Sequence, residues 1–170
     1  MKCSVIALLF CFFGFTLNAQ DSAVYHVGVQ FTYHPSDFFS GLQAEREKGP
    51  HQHQVAINVG VNITFFQQRL YPQIYYQYAF HLVKKRWIQT GPLARLSLST
   101  LHFNKQSLHG RSFQEEAYLG AYVGTGNRSR FRLSAGIGPA VEQNWSSVKQ
   151  KMNHYISWNS FVEISWSYAL

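Results

Sequence analysis

Cysteine is almost missing from this chain: the only two, Cys3 and Cys11, fall within the first eleven residues. A disulfide scaffold and a thiolate metal site are therefore excluded downstream of them. Charge is scarce as well, at 14% of residues against roughly a quarter in ordinary soluble domains. Acids are the scarcer sign, with 8 Asp and Glu against 15 Lys and Arg. Beyond residue 20 no apolar run approaches the ~20 residues that a membrane-spanning helix requires. If the body of the chain crosses a bilayer, it must do so as strands closed into a barrel, the other architecture that satisfies every backbone group in lipid.

Aromatic residues, by contrast, reach 16% of the 170 residues. The length suits one domain. The opening MKCSVIALLFCFFGFTLNAQ has one basic residue, an apolar run from Val5 to Phe15, and then Thr16-Leu17-Asn18-Ala19. That is the layout of a secretory signal peptide cleaved after Ala19, which leaves 20–170 as the mature domain. An N-terminal membrane anchor would need a longer run, and lipoprotein acylation at Cys11 would need a small residue where Phe10 stands. Removal of Lys2 with the leader lowers the formal net charge from +7 to +6. The balance is basic, but an exported chain with no RNA- or DNA-binding motif is not a nucleic-acid binder.

What fills the mature chain is alternation with period two, the signature of a strand with one apolar face. From Ala23 to His34, Tyr25, Val27, Val29, Phe31 and Tyr33 alternate with His26, Gly28, Gln30, Thr32 and His34. The same pattern recurs from His53 to Phe66, Tyr71 to Leu82, Trp87 to Thr100, Phe113 to Gly124, Arg130 to Glu142 and His154 to Leu170. Pro92 lies inside one of these and marks an edge or a bulge. For 38–47, a short strand ending in the turn Lys48-Gly49-Pro50 and one long loop over 35–52 both fit. The polar, basic stretches Leu101 to Arg111 and Gln143 to Asn153 read as loops. Parity favours eight strands over seven, because single-chain bacterial barrels have even strand numbers, short turns on the side of the termini and longer loops opposite. The expected fold is thus an all-β, antiparallel, up-and-down transmembrane barrel.

In the central parts of these strands the apolar face carries no Lys, Arg, Asp, Glu or His. A cation at the bilayer midplane would cost roughly 2–4 kcal/mol, so that face suits lipid. The other face collects Glu45, Arg95, Glu116, Arg132, Glu142 and Glu163 among amides and hydroxyls. Eight strands enclose only enough room for side chains, which predicts a filled, hydrogen-bonded interior and no open pore. A soluble ligand-binding barrel would need the reverse, with apolar groups inside and charge outside. The chain resembles the small eight-stranded outer-membrane barrels of Gram-negative bacteria, the OmpA-like and OmpX-like transmembrane domains. The resemblance is sharpest at Ile164, Trp166, Tyr168 and Leu170, which look like the C-terminal signal read by the barrel-assembly machinery; Leu170 stands where that signal usually ends on Phe or Trp. It implies an outer-membrane location, lipid and lipopolysaccharide as surroundings, a monomer, no cofactor and a structural or surface-interaction role.

Three chemistries can be weighed against that reading. His51 and His53 would share a strand face, but no third ligand stands at metal-binding spacing beside them. Some small barrels hydrolyse lipid A, and the nearest approach to an activated serine is His34 with Ser36; the His-x-Ser-Asn pattern of the deacylases is missing, and an enzyme is not expected. Lys105, Arg111, Lys149 and Lys151 sit in the two basic stretches and could pair with lipopolysaccharide phosphates, or serve only as solvated loop charge. The basic turn Lys84-Lys85-Arg86 has no evident partner.

Overall fold

A computed structural model of the chain describes residues 23–35, 37–62, 70–85, 87–105, 108–146 and 151–170, and every regular element within them is a strand. In chain order these are β1 (Val24–His34), β2 (Asp37–Lys48), β3 (His51–Asn62), β4 (Leu70–Phe80), β5 (Val83–Lys84), β6 (Gln89–Lys105), β7 (Leu108–Thr125), β8 (Ser129–Ser146) and β9 (Lys151–Ala169). Apart from β4 and β5, neighbours in sequence pair antiparallel, β1 also pairs with β9, and β4 pairs with β6, so the eight long strands form a closed barrel. Closure removes the exposed edges that an open sheet would carry. The expected leader 1–19 and the end of the strand expected to run to Phe66 lie outside the described residues.

The register fixes the geometry. Val29 pairs directly with Trp166 of β9. Traced the other way round, it passes through Leu42, Ile57, Ile74, Leu98, Glu115 and Val141 and arrives at Ile156, ten residues from Trp166 on the same strand. A stagger of ten on eight strands tilts them about 40° from the barrel axis. Each residue then advances about 2.5 Å along that axis.

The strand over 38–47 is real and longer than expected: β2 runs Asp37–Lys48 and pairs along its whole length with β1 and β3. Gly49 has φ 60° and opens the two-residue turn to β3, a place where hairpin turns need a residue that tolerates positive φ. Gly126, at φ 101°, does the same between β7 and β8. Pro92 lies where the register steps by one residue, between Ala79↔Leu93 and Val83↔Thr90. A bulge is where a missing ladder donor is tolerated.

In their described residues the two basic stretches are strand and not loop. β6 and β7 stay paired to Lys105↔Leu108, and β8 and β9 to Ser146↔Lys151. Composition misleads here because pairing beyond the closed barrel is carried by the backbone ladder, which needs no alternation of polarity. Among the described residues the wall is therefore uneven. β1–β4 have 11 or 12 residues, whereas β6–β9 have 17 to 19. The β1–β9 ladder covers only Val162–Ala169, and the β4–β6 ladder only Leu93–Ser99. Among the described pairings, a four-stranded sheet thus rises past the barrel on one side. Its end is called distal below, and the end holding Val24 and Leu170 proximal.

Candidate functional site

The distribution of polarity is inverted relative to a soluble protein. Val27, Val29, Phe31, Leu42, Ile57, Leu119, Ile137, Val162 and Ile164 are exposed on the outer wall, while Glu45, Glu47, Arg95, Glu116, Arg130, Arg132 and Glu163 are buried inside. Alternation alone accounts for this: a residue of one parity faces out, and its neighbour faces the lumen. Buried charge requires partners, and the lumen supplies them in three tiers.

The proximal tier is an ion-pair cluster. Arg130 Nη2 donates to Glu47 Oε2 at 2.6 Å, and its Nη1 lies 3.5 Å from Glu45 Oε2. Arg132 reaches Glu45 Oε1 at 3.2 Å and Gln52 Oε1 at 2.8 Å, and also donates to Gln54. Gln43 donates to Glu45 as well, at 2.7 Å. His81 stands 3.6 Å from Glu47 and is hydrogen-bonded to Tyr122. Lys84 Nζ closes the tier from outside, pairing with Glu47 and donating to the Gly49 carbonyl at 3.2 Å. This is the partner the basic turn lacked in sequence.

The middle tier centres on Arg95 and Glu163. Arg95 Nη2 donates to Glu163 Oε2 at 2.7 Å and to Gln77 Oε1 at 2.7 Å. Its guanidinium carbon lies 4.0 Å from the centroid of Tyr75 and 3.8 Å from that of Phe161, so two aromatic faces flank the cation. The Tyr75 hydroxyl and Thr32 Oγ1 also donate to Glu163, at 2.8 and 3.0 Å.

Among the described residues the distal tier holds acid without Arg or Lys. Glu116 accepts from Ser97 at 2.6 Å, Asn159 at 2.8 Å and Gln114 at 3.0 Å, and His34 lies 3.8 Å away. Glu142 accepts from Ser112 at 2.8 Å. Beside this tier the rings of His34, Phe39, Tyr71, Tyr118 and Phe161 pack edge to face and tilted.

All six charged positions expected inside do face the lumen, with Glu142 half-buried and the rest buried. Glu47 and Asp37 were not among them, yet both are buried; extending the β2 alternation one period at each end would have found them. His34 is buried and bonded to Tyr118 at 3.2 Å, so it points into the lumen, and Ser36 lies outside the described residues. His51 and His53 share the outer face of β3, each held through Nδ1 by a tyrosine hydroxyl, Tyr78 at 2.6 Å and Tyr76 at 2.7 Å. No group of three potential metal ligands comes together among the described residues.

Of the four cations weighed as lipopolysaccharide contacts, three have their backbone on the distal extension. Lys105 is at the tip of the β6–β7 hairpin, Arg111 stands opposite His102 and Trp145, and Lys151 opens β9 opposite Ser146; Lys149 is outside the described residues. At the other end Ile164, Trp166 and Tyr168 all project outward, and Trp166 Nε1 donates to Ser129 Oγ at 2.8 Å. Leu170 follows β9 and is held by its amide on the Tyr25 carbonyl at 2.9 Å. No family model, curated protein or solved structure matches this chain.

Proposed function

We propose that this chain is an integral outer-membrane barrel of the OmpA-like and OmpX-like kind, exported by the leader 1–19 and serving a structural or surface-interaction role without catalysis. The observation that carries the reading is the inverted wall. Large apolar side chains cover the outside while charge is paired within, which suits a lipid solvent and would be costly in water. The dimensions agree. Trp158 and Trp166, both exposed on the outer face, lie eight residues apart on β9, roughly 20 Å along the axis, against an apolar band about 25 Å tall flanked by aromatic girdles in such barrels. Outward charge lies outside or at the edge of that interval: Arg46, His51 and His53 fall at the level of Trp166, and Glu115 near that of Trp158.

On this reading the proximal end faces the periplasm, and the sheet rising past the barrel stands outside the cell. The extension bears the surface role, with Trp145 and Met152 exposed opposite each other near its top and the backbone of Lys105, Arg111 and Lys151 in the same region, where lipopolysaccharide phosphates lie; these three, with Lys149, are the proposed lipopolysaccharide contacts. Ile164, Trp166, Tyr168 and Leu170 form the strand end read by the assembly machinery. The packed lumen argues against an open pore, and the protein acts as a monomer without cofactor. Cell fractionation with heat-dependent migration in detergent gels tests this. The full chain is expected in the outer membrane, with folded and boiled forms migrating differently; recovery as a detergent-free soluble periplasmic protein would overturn it.

A further inference from the structure

Apart from the apolar belt, the outer wall has one arc of different chemistry. On β2, β3 and β4 near the proximal rim, Arg46 opposes His53 across one ladder and Tyr25 across the other; His53 in turn opposes Tyr78, and Lys48 opposes His51. Alternation turns Arg46, His51, His53, Tyr76 and Tyr78 to the outside, where each is half-buried or exposed. The rings form one layer, with His53 centred 5.4 Å from Tyr78 and 6.1 Å from Tyr76, and His51 centred 5.5 Å from Phe80. A phenol is the better proton donor to an imidazole nitrogen, so each tyrosine bonded at Nδ1 leaves the proton of its histidine on Nε2. Arg46 and two Nε2–H groups then present donors, and no acceptor, from the same stretch of wall.

At the same height on β8, β9 and β1 the outward residues are Phe131, Trp166, Tyr168 and Val27, with no charge among them. The cationic arc is thus a local feature of the rim and not a general girdle. Its level, one edge of the apolar belt, is where lipid phosphates lie if the barrel spans a bilayer, and a guanidinium with two N–H donors matches a phosphodiester in charge and geometry.

Resting on the membrane reading above, we infer that Arg46, His51 and His53, backed by Tyr76 and Tyr78, form a binding site on the outer barrel wall for the phosphate of a phospholipid in the leaflet at the proximal end. The phosphate oxygens accept from Arg46 and from the two Nε2–H groups. The acyl chains run along the apolar strip of Leu42, Val55, Ile57 and Ile74 above it, all exposed.

The test is native mass spectrometry of the full mature chain refolded in detergent, titrated separately with dioleoyl phosphatidylglycerol, a monogalactosyl diacylglycerol that lacks phosphate, and lipid A. Heat-dependent gel migration of each sample establishes the folded barrel first. Phosphatidylglycerol is expected to be retained about tenfold more strongly than the galactolipid, as the loss of charge-assisted hydrogen bonds implies. Arg46→Gln with His53→Gln should abolish that preference, and Arg46→Lys should keep most of it. Equal retention of the two lipids by the folded wild type overturns the inference and leaves the membrane reading intact, as does an unchanged preference in the folded double variant. Lipid A that displaces phosphatidylglycerol from the wild type but not from the double variant overturns the assignment to a phospholipid. If the double variant does not fold, the wild-type titration and Arg46→Lys decide the matter. A chain that forms no heat-modifiable barrel overturns both readings.

Discussion

The proximal and middle tiers of the lumen both neutralise buried arginine, but they do so with different redundancy. At the proximal end Arg130 reaches both Glu45 and Glu47, while Arg132 pairs with Glu45 and also donates to the amide oxygens of Gln52 and Gln54. In the middle, Glu163 is the only acid within ion-pair distance of Arg95 among the described residues. A buried ion pair is costly to assemble and costlier to break from one side, because the surviving charge keeps its desolvation penalty. The number of fallback partners, and not the number of charges, therefore sets how much each acid matters. The distal tier extends the contrast: Glu116 is held by neutral donors and one histidine, so its removal strands no arginine.

One chemical change placed at three heights measures this. Glu163→Gln should be the most damaging, destabilising the folded barrel by about 3 kcal/mol or more, because Arg95 is left with amide oxygens only while Tyr75 and Thr32 lose a charged acceptor. Glu45→Gln should cost less, about 2 kcal/mol, since Arg130 keeps Glu47 and Arg132, though it loses its one paired acid among the described residues, keeps the two amide oxygens of Gln52 and Gln54 where Arg95 keeps only that of Gln77. Glu116→Gln should stay within about 1 kcal/mol of the parent, as an amide oxygen can still accept from Ser97 or Asn159. Urea unfolding of the chain refolded into lipid vesicles, read as midpoints at constant slope, ranks the three. A Glu116 variant as unstable as the Glu163 variant would show that burial, and not redundancy, governs the cost.

Most of the barrel was legible from period two alone, because a closed sheet with an apolar outer wall and a polar interior forces every strand to alternate. The lumen charges Glu45, Arg95, Glu116, Arg132 and Glu163 followed directly from parity. Legibility failed past the closed part of the barrel. There polarity stops alternating, so 101–105, 108–111, 143–146 and 151–153 looked like loop while their ladders ran on. It failed also where a short turn carries a long-range contact. Alternation places Lys84 at a rim, but only the folded barrel brings it to Glu47 and Gly49, which lie far from it in sequence. The cationic arc was half visible: His51 and His53 share a face by spacing, whereas Arg46, Tyr76 and Tyr78 join them only through the register of three strands.

Lys84 supplies the smallest effect and the sharpest control on the comparison. It contacts Glu47, which Arg130 already holds at 2.6 Å with His81 at 3.6 Å, and its own side chain is 45% exposed. A half-solvated ammonium gains little from such a pair, because water and salt screen it. Glu47 is left with its arginine when Lys84 is removed, so the proximal cluster stays neutralised from within. Lys84→Ala should therefore shift the unfolding free energy by no more than about 0.5 kcal/mol, a change that shrinks further in high salt. The same urea titration at low and high ionic strength checks this. A loss comparable to that of Glu45→Gln, insensitive to salt, would mean that Lys84 belongs to the buried cluster and that the redundancy of the proximal tier depends on it.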